Sequence, residues 1–329
     1  MNCPICKCGG TLSNLGHRCT TQFDEAVMVV FVPTFDSTGA QNGILKTQDL
    51  NKAYFDSMVN HTDPTKRWYP SPKLKEVANK RADPQYWEFS DQSKQFLFEG
   101  SRNFTALITA ESGSGATAPG MKKQIESARC SDGISVFILS VTRQILGNNS
   151  DDNLSIVPIQ IDEQSVYAGF MFSSQVDTQA QHLALSFNFS TTERDENLVW
   201  INCSELDGYD ILLMKALLDI CYELVDMTQT SLTIKLVTKE IFGSAINPYT
   251  ADGLVAADFV SSDSAATSKI YNATDDADVT ITSVTEQPDG TYLLAFTSQT
   301  LGDALVPYAV KTGYDFTCMK ENPIEVSSS

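Results

Sequence analysis

Short apolar runs separated by turn-forming residues recur along the first two thirds of the chain. In the clearest of them, residues 182–190, Leu and Phe alternate with more polar residues, which is the period of a strand with one buried face. His182 falls on the polar side of this alternation, so we expect it to face solvent or an interface. The pattern predicts an antiparallel β-sandwich or barrel domain over residues 21–228. The other runs lie at 26–32, 95–100, 102–110, 134–141 and 155–161.

Two stretches have the spacing of helices. The sequence MKKQIESARC, which follows Pro119 and Gly120, predicts a short helix. The stretch at about 208–226 carries a wide apolar face, and Ser204 and nearby acidic residues suit the start of a helix. We therefore expect one or two helices in the first domain, the second of them packed on its sheet.

Prolines are concentrated in the segment at about 52–94. Since helices and central strands do not tolerate such a density of prolines, the segment predicts an extended arm without regular structure. Cations alternate there with aromatic side chains, a mixture found in protein interfaces and in sites for single-stranded nucleic acid. We favour protein contact. The expected assembly contacts are Lys66, Arg67, Trp68, Tyr69, Lys73, Lys75, Lys80, Arg81, Tyr86 and Trp87.

Residues 229–329 have a different pattern of short strands. LTIKLVT alternates with period two, and GLVAADFV, DVTITSV and TYLLAF follow it. QPDG at 287–290 predicts a turn, because Pro presets φ and Gly accepts a positive φ. About 90 residues of short strands fit an immunoglobulin-like β-sandwich that lacks the Cys…Trp…Cys pattern of antibody domains.

Charge is unevenly distributed. Residues 1–150 contain 16 Lys/Arg and 14 Asp/Glu, whereas residues 151–329 contain 7 and 27, for a total net charge of −18. Acidic surfaces repel phosphate, which disfavours sequence-specific nucleic-acid binding. A basic arm of one copy could instead meet the acidic body of another. No run approaches the roughly 20 apolar residues of a membrane helix. The first twenty residues lack the apolar core of a signal peptide, so we expect synthesis in a reducing cytoplasm.

Cysteines cluster at residues 1–20. Cys3 and Cys6 form a Cys-x-x-Cys pair, and Cys8 and Cys19, with His17 as a substitute, could complete a tetrahedral zinc shell. Reduced thiols and disulfides are the alternatives. Apart from this zinc ion we expect no cofactor. The remaining cysteines are predicted to be reduced, buried apolar residues: Cys130, Cys203, Cys221 and Cys318.

The common signatures of enzymes are missing from the sequence. There is no G-x-S-x-G, no P-loop, no H-E-x-x-H and no dinucleotide-binding glycine pattern, and the three histidines are scattered. The glycine-rich stretch at 111–120 lacks the lysine of a phosphate-binding loop. We therefore expect a non-enzymatic protein, with a hydrolase as a less favoured alternative.

The first domain resembles a known protein class. A strand, the arm KRWYPSPKLKEVANKRADPQYWE, the hairpin FLFEGSRNFTALI, the helix MKKQIESAR and the strand ALSFNFS follow in the order seen in major tail-tube proteins of tailed bacteriophages. Residues 253–260 and 279–316 resemble immunoglobulin-like modules of virion and bacterial surface proteins. The cysteine-rich start and the helix at 208–226 depart from the tail-tube pattern.

This resemblance implies a self-assembling virion subunit that forms rings or a tube. Its partners would be other copies of itself and other virion proteins, without a membrane. A neck, ring or tail-hub component of the same particle would account for the same residues. From a different class, a carbohydrate- or cell-surface-binding module is the leading alternative, because Trp and Tyr stack on sugars.

Overall fold

Two compact units, Met1–Ala216 and Leu217–Ser329, make up the protein. The structure, a computed structural model, describes residues 23–98, 100–109, 125–126, 128–130, 133–150, 154–171, 182–238, 253–261, 266–320 and 322–327. The described residues are mainly β, with antiparallel sheets, and the larger sheet curls into a half-barrel. The predicted fold class is therefore confirmed.

The first unit is built on a nine-stranded sheet with the order β13-β9-β8-β11-β12-β7-β4, to which β1 and β3 are added through β8. Its buried face includes Phe104 and Phe187, whose rings stack 4.8 Å apart. The strands are β1 (Ala26–Pro33), β2 (Ile44–Leu45), β3 (Tyr69–Pro70), β4 (Leu74–Arg81), β5 (Gln85–Glu88), β6 (Lys94–Phe98), β7 (Arg102–Thr109), β8 (Ile134–Ser140), β9 (Ile145–Asn148), β10 (Leu154–Ile156), β11 (Ile159–Met171), β12 (His182–Phe189) and β13 (Leu198–Ile201).

His182 is buried within the unit, so the prediction that it faces solvent or an interface is wrong. It begins β12, which lies between β11 and β7 in the sheet and pairs with both. Leu183, Leu185, Phe187 and Phe189 are also buried, as the alternation predicts. A strand in the middle of a curled sheet can be covered on both faces, whereas the alternation of residues indicates only which face is more apolar.

The first half of the predicted arm is folded into the body of the unit. Helix α1 (Lys52–Val59) begins at Asn51, whose side-chain oxygen accepts a hydrogen bond from the amide of Tyr54 at 3.0 Å. Trp68 is only 2% exposed, and its ring lies 5.0 Å from that of Phe137 on β8. The prediction of an arm without regular structure at 52–94 is therefore wrong, because α1, β3, β4 and β5 lie within these residues. The prolines lie beside or between these elements rather than inside the longer ones.

The helix predicted at 208–226 is absent. Ile211–Leu213 form a single 3-10 turn, which is capped by the side chain of Asp210. The strand β14 (Leu218–Met227) follows it. β14 contains a bulge between Leu224 and Asp226, and bulges shift the alternation of residues so that it imitates helical spacing. Among the described residues no helix is long and apolar enough to cross a membrane.

Of the first predicted helix, residues 125–126 are helical and Ala128–Cys130 form a 3-10 turn, whereas residues 121–124 and 127 lie outside the described residues. The glycine-rich stretch at 111–120 lies outside them as well.

The second unit contains an eight-stranded sheet with the order β20-β14-β15-β18-β17-β16-β19-β21. The predicted boundary at 228/229 is displaced, because β14 belongs to this unit and pairs with β15. The core is centred on Tyr292, Phe259 and Leu232, which are all fully buried. After β14 the elements are β15 (Ser231–Thr238), β16 (Lys269–Asn272), β17 (Ala277–Glu286), β18 (Thr291–Phe296), β19 (Ala304–Val306), β20 (Tyr314–Asp315), helix α2 (Thr317–Lys320) and β21 (Ile324–Glu325).

Cysteine pairing differs from the prediction. Cys221 and Cys318 form a disulfide with their Cα atoms 5.3 Å apart, and Cys203 is also disulfide-bonded. Cys130 is free but exposed. The prediction of four reduced, buried cysteines is therefore wrong. Cys221 and Cys318 are 97 residues apart in sequence, and proximity across such a distance depends on tertiary structure.

Candidate assembly surface

The outer hairpin, defined as residues 82–98, projects from the sheet of the first unit. Among the described residues its strands β5 and β6 pair with each other alone and form a separate two-stranded sheet. At the tip, the amide of Phe89 donates to the carbonyl of Ser93 at 2.9 Å. Asp91 accepts hydrogen bonds from the hydroxyl and from the amide of Ser93. These bonds hold the pKa of the Asp91 carboxyl below its ordinary value, and the hydroxyl has the larger effect. The tip therefore stays negatively charged in mildly acidic solution.

Large apolar side chains are exposed along this hairpin. Residues 82–97 are all exposed. The rings of Tyr86 and Phe96 contact each other edge to face at 5.9 Å, and because side chains alternate along a strand, Trp87 projects from the opposite face. Single exposed apolar residues are normal in soluble proteins, but a contiguous group marks an interaction site. The group, with exposed fractions of 45–59%, consists of Tyr86, Trp87, Phe89, Phe96 and Leu97.

The outer hairpin continues the ladder between β4 and β7. That ladder ends with Arg81 opposite Arg102, after which the amide of Ala82 donates to the carbonyl of Ser101 at 2.8 Å. A Cβ atom at Gly100 would lie 2.0 Å from the Ala82 carbonyl oxygen, so only glycine fits there. Strand pairing resumes in β5 and β6. The hairpin thus leaves the sheet at Ala82 and Gly100, where the two backbones approach each other closely.

Two arginines share one carboxylate at this base. Arg81 and Arg102 donate to Oδ1 of Asp195 at 2.9 and 2.7 Å. Arg102 also donates to Asn79 at 2.7 Å and lies over the ring of Phe189, 5.0 Å from its centre. Burial lowers the pKa of Arg102, and Asp195 opposes that effect. The carboxylate therefore holds two like charges together where the hairpin leaves the sheet.

Replacing Asp195 with Ala should loosen the base of the hairpin. Without the carboxylate the two guanidinium groups repel each other, and the Ala82 amide should exchange faster. Because Asp195 is more than half exposed, solvent screening limits the local loss to about 1 kcal/mol. Hydrogen exchange measures this, with Glu196→Ala as the control, since Glu196 pairs only with the exposed Arg194 in the described part of the chain. Equal exchange in both variants would contradict the role of Asp195.

The structure separates the predicted assembly residues into three groups. Arg67 and Trp68 are buried, so the prediction that they contact a partner is wrong: Arg67 donates through Nε to the carbonyl of His61 at 2.9 Å. Tyr86 and Trp87 lie on the outer hairpin. The others lie on the body of the unit: Lys66, paired with Asp36; Tyr69, whose hydroxyl donates to Pro64; Lys73, Lys75 and Lys80, all exposed; and Arg81, at the hairpin base.

Sequence reasoning did not identify Phe89, Phe96 and Leu97 as surface residues. The signal was present in QYWEFSDQSKQFLF, where two apolar strand-like runs flank a polar turn, the pattern of a β-hairpin. The basic character assigned to the arm also needs correction. Residues 82–98 contain three carboxylates and one lysine, so the projecting part is weakly acidic and the cations lie on the body.

The predicted zinc ligands Cys3, Cys6, Cys8, Cys19 and His17 lie outside the described residues. Within the part of the chain that the structure describes, no group of three or more His, Cys, Asp or Glu side chains is placed to hold a metal ion. The N-terminal zinc site therefore stays a prediction.

Comparison of the chain with known protein families and with curated proteins gives no match. The geometry of the outer hairpin, together with the resemblance noted in the sequence, is thus the basis from which a function can be inferred.

Proposed function

We propose that the chain is a non-enzymatic structural subunit that assembles with copies of itself, as a tail-tube-like protein of a bacteriophage virion. The observation that carries this proposal is the outer hairpin, which exposes five large apolar side chains on a two-stranded sheet. An isolated two-stranded hairpin is at best marginally stable in water. A neighbouring subunit would cover both of its faces and complete its packing.

The expected energy of this contact favours a closed assembly. Burying a large apolar side chain completely stabilises by about 1.5–3 kcal/mol, and these side chains are already about half covered. Five of them therefore supply about 4–8 kcal/mol, against an association cost of about 4–15 kcal/mol. One contact is weak by this comparison. In a ring each subunit would give one hairpin and receive another, so many weak contacts would act together.

Synthesis in the host cytoplasm and a final location in the virion belong to the same proposal. A neck, ring or tail-hub position would use the hairpin in the same way. A carbohydrate-binding module is less favoured, because sugar stacking needs a flat platform on one face, whereas Tyr86 and Trp87 project from opposite faces.

Light scattering over a range of concentrations and negative-stain microscopy test the proposal. The purified full chain should gain mass with concentration and form rings or tubes. A variant in which Arg81 and Arg102 are joined by an Asn-Gly turn should stay monomeric with unchanged circular dichroism, because β4 and β7 keep their pairing. A chain that stays monomeric at every concentration and is retained by a glycan column would instead be a binding module.

A further inference from the structure

The sheet of the second unit is closed by its last residues. We define the C-terminal strap as residues 314–320 and 322–327. Its first strand, β20, pairs with β14, and its last strand, β21, pairs with β19. Since β20 and β21 are the two ends of the eight-strand order, one short segment covers both edges of the sheet.

The strap has many apolar contacts but little strand pairing. Phe316, Met319, Ile324 and Val326 are buried in the core of the unit. By contrast, β20 and β21 pair with their neighbours over only two residues each. Side chains add hydrogen bonds to β14: the Tyr222 hydroxyl donates to the carbonyl of Asn322, and the Ser327 hydroxyl to that of Met227.

The disulfide joins the middle of the strap to β14. Cys318 lies in α2, between the two short strands of the strap, and Cys221 lies in β14. Both residues are partly exposed, so small thiols and disulfides in solution can reach them. A bond between residues 97 positions apart restricts the open chain strongly. It therefore acts on a segment with little backbone pairing.

We propose that Cys221 and Cys318 are a redox latch for the C-terminal strap. When both cysteines are thiols, the strap can open locally and uncover the edges of β14 and β19. When they form the disulfide, the strap is held closed. Locking passes two electrons and two protons from the thiols to a small disulfide such as oxidised glutathione. One S–S bond forms in the protein, one breaks in the reagent, and two small thiols leave. The latch lies in the second unit and does not depend on the function proposed for the outer hairpin.

Hydrogen exchange of the full chain in reduced and in oxidised glutathione tests the latch. In the reduced buffer, peptides that cover residues 316–326 should exchange at least about tenfold faster than in the oxidised one, because opening of the strap is no longer restricted. Peptides from β15 and β18 should exchange at the same rate in both buffers. Mass spectrometry after alkylation reports the state of the two cysteines in each sample.

Two variants complete the design. Cys318→Ser should show the fast exchange of the strap in both buffers, whereas Cys130→Ser, which removes an exposed free cysteine, should behave as the unchanged chain. Neither variant changes Cys203, which has its own disulfide. Any effect of reducing that disulfide should therefore be the same in both variants and in the unchanged chain. Equal exchange of the strap in both buffers overturns the latch. Loss of protection throughout β15 and β18 on reduction also overturns it, since the bond would then hold the whole unit. If Cys318→Ser does not fold, the two buffers still decide with the unchanged chain.

Discussion

With Tyr86 and Trp87 both changed to Ser, the purified chain is expected to remain monomeric at concentrations where the unchanged chain assembles. The two side chains project from opposite faces of the outer hairpin, so the double change removes an anchor from each face. Buried aromatic anchors typically contribute about 2 kcal/mol or more each, and 2 kcal/mol weakens association about 30-fold. Because both side chains are exposed, the free energy of unfolding of the monomer should change by only about 0.5 kcal/mol.

Sedimentation velocity across a concentration series measures the effect. The matched control changes Tyr167 and Leu213 to Ser. These residues of the first unit are exposed to a similar extent as Tyr86 and Trp87 but lie outside the outer hairpin. The control should assemble normally. An unchanged assembly midpoint in the hairpin variant would remove the basis of the proposed function.

Replacement of Trp68 by Ala is expected to destabilise the first unit by about 3–5 kcal/mol. Its ring is packed between Phe137 of β8 and Phe55 of α1, with ring centres 5.0 and 5.9 Å away, and truncation leaves a cavity there. A domain is typically stable by only about 5–15 kcal/mol, so the loss is a large part of the total. Urea unfolding, with hydrogen exchange in β1 and β8 to report on this unit alone, measures it.

Trp87→Ala is the matched control for that experiment. It removes the same side chain from the same stretch of sequence at a position that is 59% exposed. The stability of the monomer should hardly change. A loss below about 1 kcal/mol for Trp68→Ala would show that its surroundings collapse onto the space or that it is not a core residue.

These two tryptophans show where sequence reasoning succeeds and where it fails. Alternating apolar residues identify the strands around Phe104 and Phe187, and the antiparallel β class follows from them. Trp68 and Trp87, however, stand in similar surroundings of prolines, cations and aromatics. One is buried because β8, a distant part of the chain, packs against it together with the neighbouring helix α1, and no local pattern reports the contact with β8.

The region at 208–227 fails for a different reason. Apolar residues on β14 recur at irregular intervals because of the bulge at Val225, and this spacing matches a helix as well as a strand. Pairing with β15 decides between them, since a helix would satisfy its own backbone hydrogen bonds but would leave this edge of β15 unpaired. The prediction of reduced thiols at Cys221 and Cys318 had a different source, the expected synthesis in a reducing cytoplasm.

Closure of the second unit by the C-terminal strap also determines when that unit can fold during synthesis. Domains generally fold as units while the chain is made, beginning at the N-terminus. The described strands of the first unit are complete by residue 201, whereas the two end strands of the second sheet, β20 and β21, are complete only when residues 315 and 325 have left the ribosome. A nascent chain therefore carries an uncovered edge at β14 from residue 227 to residue 315, and one at β19 from residue 306 to residue 325. Truncated products that stop before residue 314 should aggregate through these edges.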